Sequence, residues 1–215
     1  MRERSVRVFL ICAALFAIVP LIAVLRMGHT ALHETINMHH SSWSDVLFSY
    51  GTNLADGWTA TIIALLLLWK NWRSFLMLGA SAAFSAIITQ VLKHFVFPDV
   101  DRPAEFLAAM PRIELVPGVE LLHQNSFPSG HSTCAFSMCF ALAVIIARSG
   151  PAAIFAVVAA LLAFSRVYLS QHFTEDVLGG AFIGTIAAWA VYRWLYRSAF
   201  SSRTFLERSP FQRSN

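Results

Sequence analysis

Charge is scarce in this chain. Asp, Glu, Lys and Arg make up 13% of its 215 residues, about half the usual share of a soluble domain. Only two of the sixteen cations are lysines, Lys70 and Lys93. Cysteine is rarer still. Cys12, Cys134 and Cys139 are odd in number and sit in apolar stretches, which excludes a disulfide framework. Cys134 and Cys139 also lack the Cys-x2-Cys spacing of a zinc site and read as small buried apolar residues. No internal repeat or low-complexity tract is visible. What replaces charge is apolar surface. Apolar residues reach 57%, and mean hydropathy is +0.60. A water-soluble globule of this size has no way to hide so much, so the composition points to a polytopic membrane protein.

Six apolar stretches follow: Val8–Leu25, Trp58–Trp69, Phe75–Leu92, Thr133–Ala147, Ala152–Leu169 and Val177–Tyr192. A helix needs about 20 residues to cross ~30 Å of hydrocarbon, with about 17 tolerable. The first and third reach this alone. The second is short unless it begins near Leu54, and the last three need snorkelling ends or local thinning. The first stretch is longer than a signal-peptide core and is read as a retained anchor. The expected fold is all-α: six transmembrane helices in one bundle. Residues 1–215 form one domain, with a motif-bearing core at about 54–196 and tails at 1–7 and 197–215.

Six spans put both termini on one side. That side holds eleven of the sixteen cations, among them Arg2, Arg4, Arg7, Lys70, Arg73, Arg148 and the tail through Arg213. The other side holds Arg26, Lys93, Arg102, Arg112 and Arg166. Lys/Arg bias sets orientation, so both termini are expected in the cytoplasm. The positive charge sorts by membrane side, which argues for a bilayer and against nucleic acid as the partner. All eight histidines fall on the outer side or its edge. Histidine is costly in lipid and useful in proton transfer, so chemistry is expected there.

Two outer connections carry the candidate residues. One contains Lys93, Asp101-Arg102-Pro103 and Pro128-Ser129-Gly130-His131; the other runs from Ser165-Arg166 through His172 to Asp176. Lys93, Arg102 and Arg166 would repel one another in a low-dielectric pocket, and a phosphate dianion relieves that. Arginine grips phosphate bidentately, while lysine acts as a point charge. Ser129-Gly130 precedes an apolar helix whose first N–H groups favour an anion. His172 and Asp176, four apart, share one helical face, so the carboxylate can orient the imidazole as a nucleophile. His131 is then placed to donate a proton to a leaving alkoxide. His29, His33, His39 and His40 have spacings that suit a metal, but read as interfacial loop histidines. The exposed tryptophans near span ends read as anchors, Gly180-x3-Gly184 as bundle packing, and Arg193–Arg213 as a solvated basic tail.

Pro128-Ser129-Gly130-His131 and Ser165-Arg166-x5-His172-x3-Asp176 resemble the second and third signature motifs of the type 2 phosphatidic acid phosphatase and vanadium haloperoxidase superfamily. The six-span layout is similar to that of its bacterial integral-membrane lipid phosphatases. The first motif departs: Lys93 and Arg102-Pro103 are two residues further apart than in the family pattern. The resemblance implies a metal-independent phosphatase needing no cofactor. His172 forms a phosphohistidine, Asp176 orients it, and His131 protonates the leaving oxygen. Lys93, Arg102, Ser129, Gly130 and Arg166 hold the phosphate. The implied partner is a lipid phosphate in the bilayer, such as phosphatidate, phosphatidylglycerol phosphate, undecaprenyl diphosphate or a lipid A phosphate. The site faces the periplasm or exterior. A non-catalytic membrane protein that binds or transports a lipid phosphate or anion is the alternative. The oligomeric state is left open.

Overall fold

The computed structural model describes residues 1–211. Arg213 and the end of the expected tail lie outside them. The described residues are all helical or irregular, without strands. Helix α1 spans Arg2–Met27, α2 His29–Asn37, α3 Ser42–Gly51 and α4 Gly57–Leu67. Helix α5 spans Trp72–Val91 and continues as a π turn, Leu92–Val96. Helices α6 (Gly130–Ile146), α7 (Ser149–Tyr168) and α8 (Thr174–Arg197) complete the bundle. Four helices are long and apolar enough to cross a bilayer: α1, α5 with its π turn, α7 and α8.

The second and fourth expected spans are shorter, and each end has a local cause. Asp56 caps α4 by accepting the Gly57 amide at 2.6 Å, so α4 does not extend back to Leu54. The 3-10 turn Thr52–Ala55 fills that place. Helix α6 starts where Ser129 caps it and stops at Ala147, whose φ of 57° breaks the helical path.

Helix α6 sits in the middle, packed most extensively against α8 and α7 and also against α5 and α1. Twelve of its seventeen residues are buried. In lipid, helices gain little from moving apolar groups off the solvent, so close packing and interhelical hydrogen bonds must hold them. Both occur here. A Cβ on Gly184 would overlap the Thr133 carbonyl oxygen, and one on Gly180 the Ser129 oxygen. The two glycines therefore let α8 ride directly on the α6 backbone. Buried hydroxyls link α5 to α6, Thr89 to Thr133 at 3.2 Å and Ser85 to Ser137 at 3.2 Å. Phe9 of α1 meets Phe140 edge-on at 5.3 Å.

The two ends differ from expectation in instructive ways. Residues 2–7 are not a loose tail but the first turns of α1. The stretch after α8 is not solvated throughout. It folds back as two 3-10 turns, buries Leu206 and gives its Arg208 carbonyl to the Trp72 amide. Arg73 fastens it by donating to Glu207 at 2.6 Å, to the Ser201 carbonyl and to the Leu195 carbonyl. At the opposite end, the connection after α1 is not plain loop but α2, α3 and a 3-10 turn. Asn37 splints α2 to the long α5–α6 connection by exchanging hydrogen bonds with Glu114.

The glycine contacts give a direct test. Gly184→Ala should destabilise the detergent-solubilised protein by about 1–3 kcal/mol, the usual cost of overpacking. Gly79→Ala, whose Cβ would meet Ala64 at an ordinary 3.7 Å, should leave the thermal midpoint unchanged or raise it.

Candidate active site

Four segments converge at the end of the bundle away from the chain termini: the π turn after α5, the α5–α6 connection, the start of α6, and the α7–α8 turn. The α7–α8 turn is tight. After Tyr168, Ser170 adopts φ 53°, and the amides of Gln171 and His172 both fold back onto the Arg166 carbonyl at 2.9 and 3.1 Å. This doubling back presses His172 into the protein, where it is only 2% exposed.

One turn into α8, Asp176 accepts the Phe173 amide at 2.9 Å and the Ser126 hydroxyl at 2.5 Å, both on Oδ2. The same oxygen lies 3.4 Å from His172 Nδ1. A carboxylate there selects the tautomer with its proton on Nδ1 and leaves Nε2 as the acceptor nitrogen. Nε2 in turn lies 3.3 Å from Arg102 Nη1. Burial, with the charges of Arg102, Lys93 and Arg166, pushes the His172 pKa well below its ordinary value. The ring is therefore neutral and nucleophilic near pH 7. His131, half-buried in the first turn of α6, is near enough to bear electrostatically on it.

The three cations are buried, yet their hydrogen bonds run to carbonyls and neutral side chains. Lys93 Nζ donates to the Asn125 carbonyl at 2.7 Å, and Arg102 Nη2 reaches the same oxygen at 3.3 Å. Arg102 also donates to the Gln124 and Gln171 carbonyls. Arg166 donates to Thr52 Oγ1 at 3.0 Å and Gln171 Oε1 at 3.3 Å, while its buried Nε has no partner. The longer spacing between Lys93 and Arg102 is absorbed locally. The π turn carrying Lys93 is wider than an α turn, and a turn at Pro98-Asp99 follows. Ser129 uses its amide on the Asp176 carbonyl and its Oγ as acceptor for the Ser132 amide. Its hydroxyl proton and the amides of Gly130 and His131 remain as donors without intrahelical partners. A Cβ on Gly130 would meet nothing within 4 Å, so the space before the helix start is open.

Residues outside the expected set also build the site. Ser126 bridges Asp176 and His172, Gln171 braces both arginines, and Thr52 holds Arg166. Ser126 and Gln171 lie beside the motifs but carry no spacing signal of their own. Thr52 precedes the expected core, and only the fold brings it in. His33 of α2 is a fourth: its Nε2 lies 3.1 Å from Ser170 Oγ, and burial lowers its pKa to about 4. Among the described residues the outer histidines take separate partners. His29 pairs with Glu175 and His40 with Asp45, and His39 bonds the Thr35 carbonyl.

Two outcomes follow. Asp176→Asn should lower kcat by about 10²–10⁴-fold, since it removes the charge that orients the His172 imidazole. Ser126→Ala should cost less, with KM little changed in both. Separately, unfolded histidine has a pKa of about 6.5, so between pH 6.5 and 4 the unfolded chain binds a proton that His33 refuses when folded. Stability should then fall as the pH is lowered through this window, by up to about 1.4 kcal/mol per unit from this ring. The thermal midpoint of His33→Gln should show a shallower acid slope.

Comparison with known proteins follows the same lines. Residues 74–200 match the PAP2 superfamily. A stretch of 73 residues is 41% identical to the "Putative undecaprenyl-diphosphatase YbjG" of Escherichia coli (strain K12). That match covers 32% of this chain and 36% of YbjG, about a third of the relative's length. The crystal structure of Aquifex aeolicus LpxE is similar with a TM-score of 0.67 and 25% identity, covering 77% of this chain and 94% of that one. The transmembrane PAP2 type phosphatidylglycerolphosphate phosphatase from Bacillus subtilis has a similar fold, with a TM-score of 0.63 and 23% identity over 91% and 98% of the two chains. The family match and the four spanning-length helices make this an integral membrane protein. The chain belongs to the PAP2 superfamily.

Proposed function

We propose that this protein is a membrane lipid phosphatase that works through a phosphohistidine. His172 Nε2 attacks phosphorus while Lys93, Arg102 and Arg166, with the Ser129 hydroxyl and the Gly130 amide, hold the phosphoryl oxygens. His131 gives its proton to the leaving oxygen, and the dephosphorylated lipid departs. His131 then takes a proton from water, which attacks the phosphohistidine, releases inorganic phosphate and restores both rings. Asp176 stabilises the positive charge that His172 carries in the intermediate. The chemistry asks mainly for alignment and charge stabilisation, which the cations and the helix start supply.

The observation that carries this reading is the two-sided geometry of His172. One ring nitrogen faces a carboxylate and the other a phosphate-binding guanidinium. Substrate candidates are lipid phosphates and diphosphates. The likeness to YbjG supports a polyprenyl diphosphate, and the two structural relatives support other membrane lipid phosphates. On this reading the chain crosses six times, with α4 and α6 as short spans, and the Lys/Arg bias puts both termini in the cytoplasm and the site at the outer face. The fall of Arg2, Arg73 and Arg197 at one end, and of His131 and His172 at the other, supports this.

The deciding experiment is phosphate release from a panel of phosphatidate, phosphatidylglycerol phosphate, lipid A phosphate and undecaprenyl diphosphate in detergent. At least one should turn over without added metal, vanadate should inhibit, and chelators should not. His172→Ala should lose at least about 10³-fold in kcat while keeping its thermal midpoint. Residual turnover near the wild-type rate would remove the nucleophile assignment, and strict dependence on a divalent metal would remove the mechanism.

A further inference from the structure

A histidine that must hand over a proton is poorly served by cations. Arg166 on α7, Lys93 on the π turn and Arg102 on the α5–α6 connection all bear electrostatically on His131, and each disfavours its imidazolium. The nearby His172 is neutral, and Asp176 faces His172. A carboxylate outside the motifs acts in the opposite sense. Asp56 follows the 3-10 turn Thr52–Ala55 and caps α4. That turn lies against both α6 and α7: Thr52 accepts from Arg166 at 3.0 Å, and Ala55 packs on Ala135 and Leu162. Ala135 is one helical turn beyond His131 and on the same face. Asp56 directly follows Ala55, so the chain brings its carboxylate to this face of α6. Its charge reaches the His131 ring, and Cys134 as well. Asp56 Oδ1 accepts the Gly57 amide at 2.6 Å. The arginine ion pairs of the described residues, Arg73–Glu207, Arg112–Glu34 and Arg197–Glu3, leave Asp56 out.

We propose that Asp56 is the electrostatic partner of His131, favouring its protonated ring until the P–O bond breaks and the proton passes to the leaving oxygen. The proposal rests on the phosphatase reading above and adds a residue to it. A bound phosphate dianion favours the imidazolium too, but it arrives with the substrate and is shared among Lys93, Arg102 and Arg166. Asp56 belongs to the protein and acts through the whole cycle. A more basic ring is also the better proton acceptor when water attacks the phosphohistidine. Asp56 is exposed, so its influence is modest and screened by salt. Each histidine then has its own carboxylate, Asp176 beside His172 and Asp56 acting at longer range on His131. The plainer role of Asp56 is to cap α4. The two roles separate cleanly, because a cap needs a hydrogen-bond acceptor and an electrostatic partner needs a negative charge.

The test is the single-turnover rate of alcohol release against pH, for two substrates. One is an alkyl lipid phosphate, whose leaving oxygen must be protonated. The other is nitrophenyl phosphate, whose phenolate departs without a proton. Asp56→Asn keeps the cap, since Asn and Asp cap equally well, and removes the charge. With the alkyl substrate, the alkaline limb reports loss of the His131 proton. In Asp56→Asn that limb should move to lower pH by about half a unit, as expected for a screened surface carboxylate. Release on the alkaline side should then slow about threefold, and the difference should shrink as salt is raised. Release of nitrophenol should change little. Asp56→Glu keeps the charge but is a poorer cap, so it should hold the limb near its wild-type position while lowering the thermal midpoint. An unmoved limb in Asp56→Asn, or an equal loss for both leaving groups, overturns the proposal and leaves Asp56 a helix cap. If Asp56→Asn fails to fold, Asp56→Ser, a second neutral cap, is read the same way. If the wild type releases alcohol from neither substrate, it is the phosphatase reading that fails.

Discussion

Three buried positive charges, none of them in an ion pair among the described residues, are the constraint around which this protein is built. Taking an ammonium or guanidinium out of water costs several kcal/mol even after relaxation, and mutual repulsion adds to that cost. The usual remedy is to pair each cation with an acid. Here Lys93, Arg102 and Arg166 are held by the carbonyls of Asn125, Gln124 and Gln171 and by Thr52 and the Gln171 side chain. Such dipoles lower the cost of burial without cancelling the charge. The pocket keeps a strong positive potential, and a phosphate dianion is the ligand that such a potential selects.

Holding that arrangement demands a rigid frame, because a carbonyl that moves away leaves a charge uncompensated. The frame is the α6–α8 contact. Gly180 and Gly184 let the two helices touch along their backbones, and the Ser129 amide bonds the Asp176 carbonyl across the same seam at 3.0 Å. The start of α6, which offers amides, and the start of α8, which follows His172, are thereby one unit. At the other end of the bundle, Arg73 of α5 ties the returning tail to the end of α8. The ends are thus secured separately, and the catalytic turn is spared any role in holding the termini.

How much of this was legible in the sequence depended on the range of the interaction. Helical spans and their sidedness rest on composition and on Lys/Arg bias, both local quantities, and the four long helices appear where apolar runs predicted them. His172 and Asp176 were readable because four-residue spacing on a helix start has a fixed geometric meaning. Arg166 stood out because a charge inside an apolar run needs a purpose. Helix ends were partly legible: α6 stops at Ala147, where its apolar run ends, but the cap at Asp56 that keeps α4 from starting near Leu54 is not something hydropathy sees. Ser126, Gln171 and Thr52 were invisible, since each is an ordinary polar residue until the fold sets it against a partner far along the chain, and the spacing that singled out His33 did not point to its partner Ser170. Thr52 and Arg166 are 114 positions apart. The fold-back of residues 199–211 was missed for the same reason: its basic residues suggest solvent, while Leu206 and the reach of Arg73 decide otherwise.

The placement of the Asp176 carboxylate separates catalysis from mere binding. A protein that only bound phosphate would gain nothing from charge on the far side of a histidine, and an acid near its arginines would weaken the anion's hold. Asp176 is directed instead at the imidazole nitrogen that faces away from Arg102, with Ser126 and the Phe173 amide fixing its orientation. In that position its negative charge matters most when the ring becomes positive, which happens when Nε2 bonds to phosphorus. The interaction is therefore stronger in the transition state than in the ground state, the property that lowers a barrier rather than tightening a complex. In the proposed mechanism the cations bind the phosphate and the carboxylate favours its transfer, with Arg102 and Asp176 at opposite nitrogens of one ring.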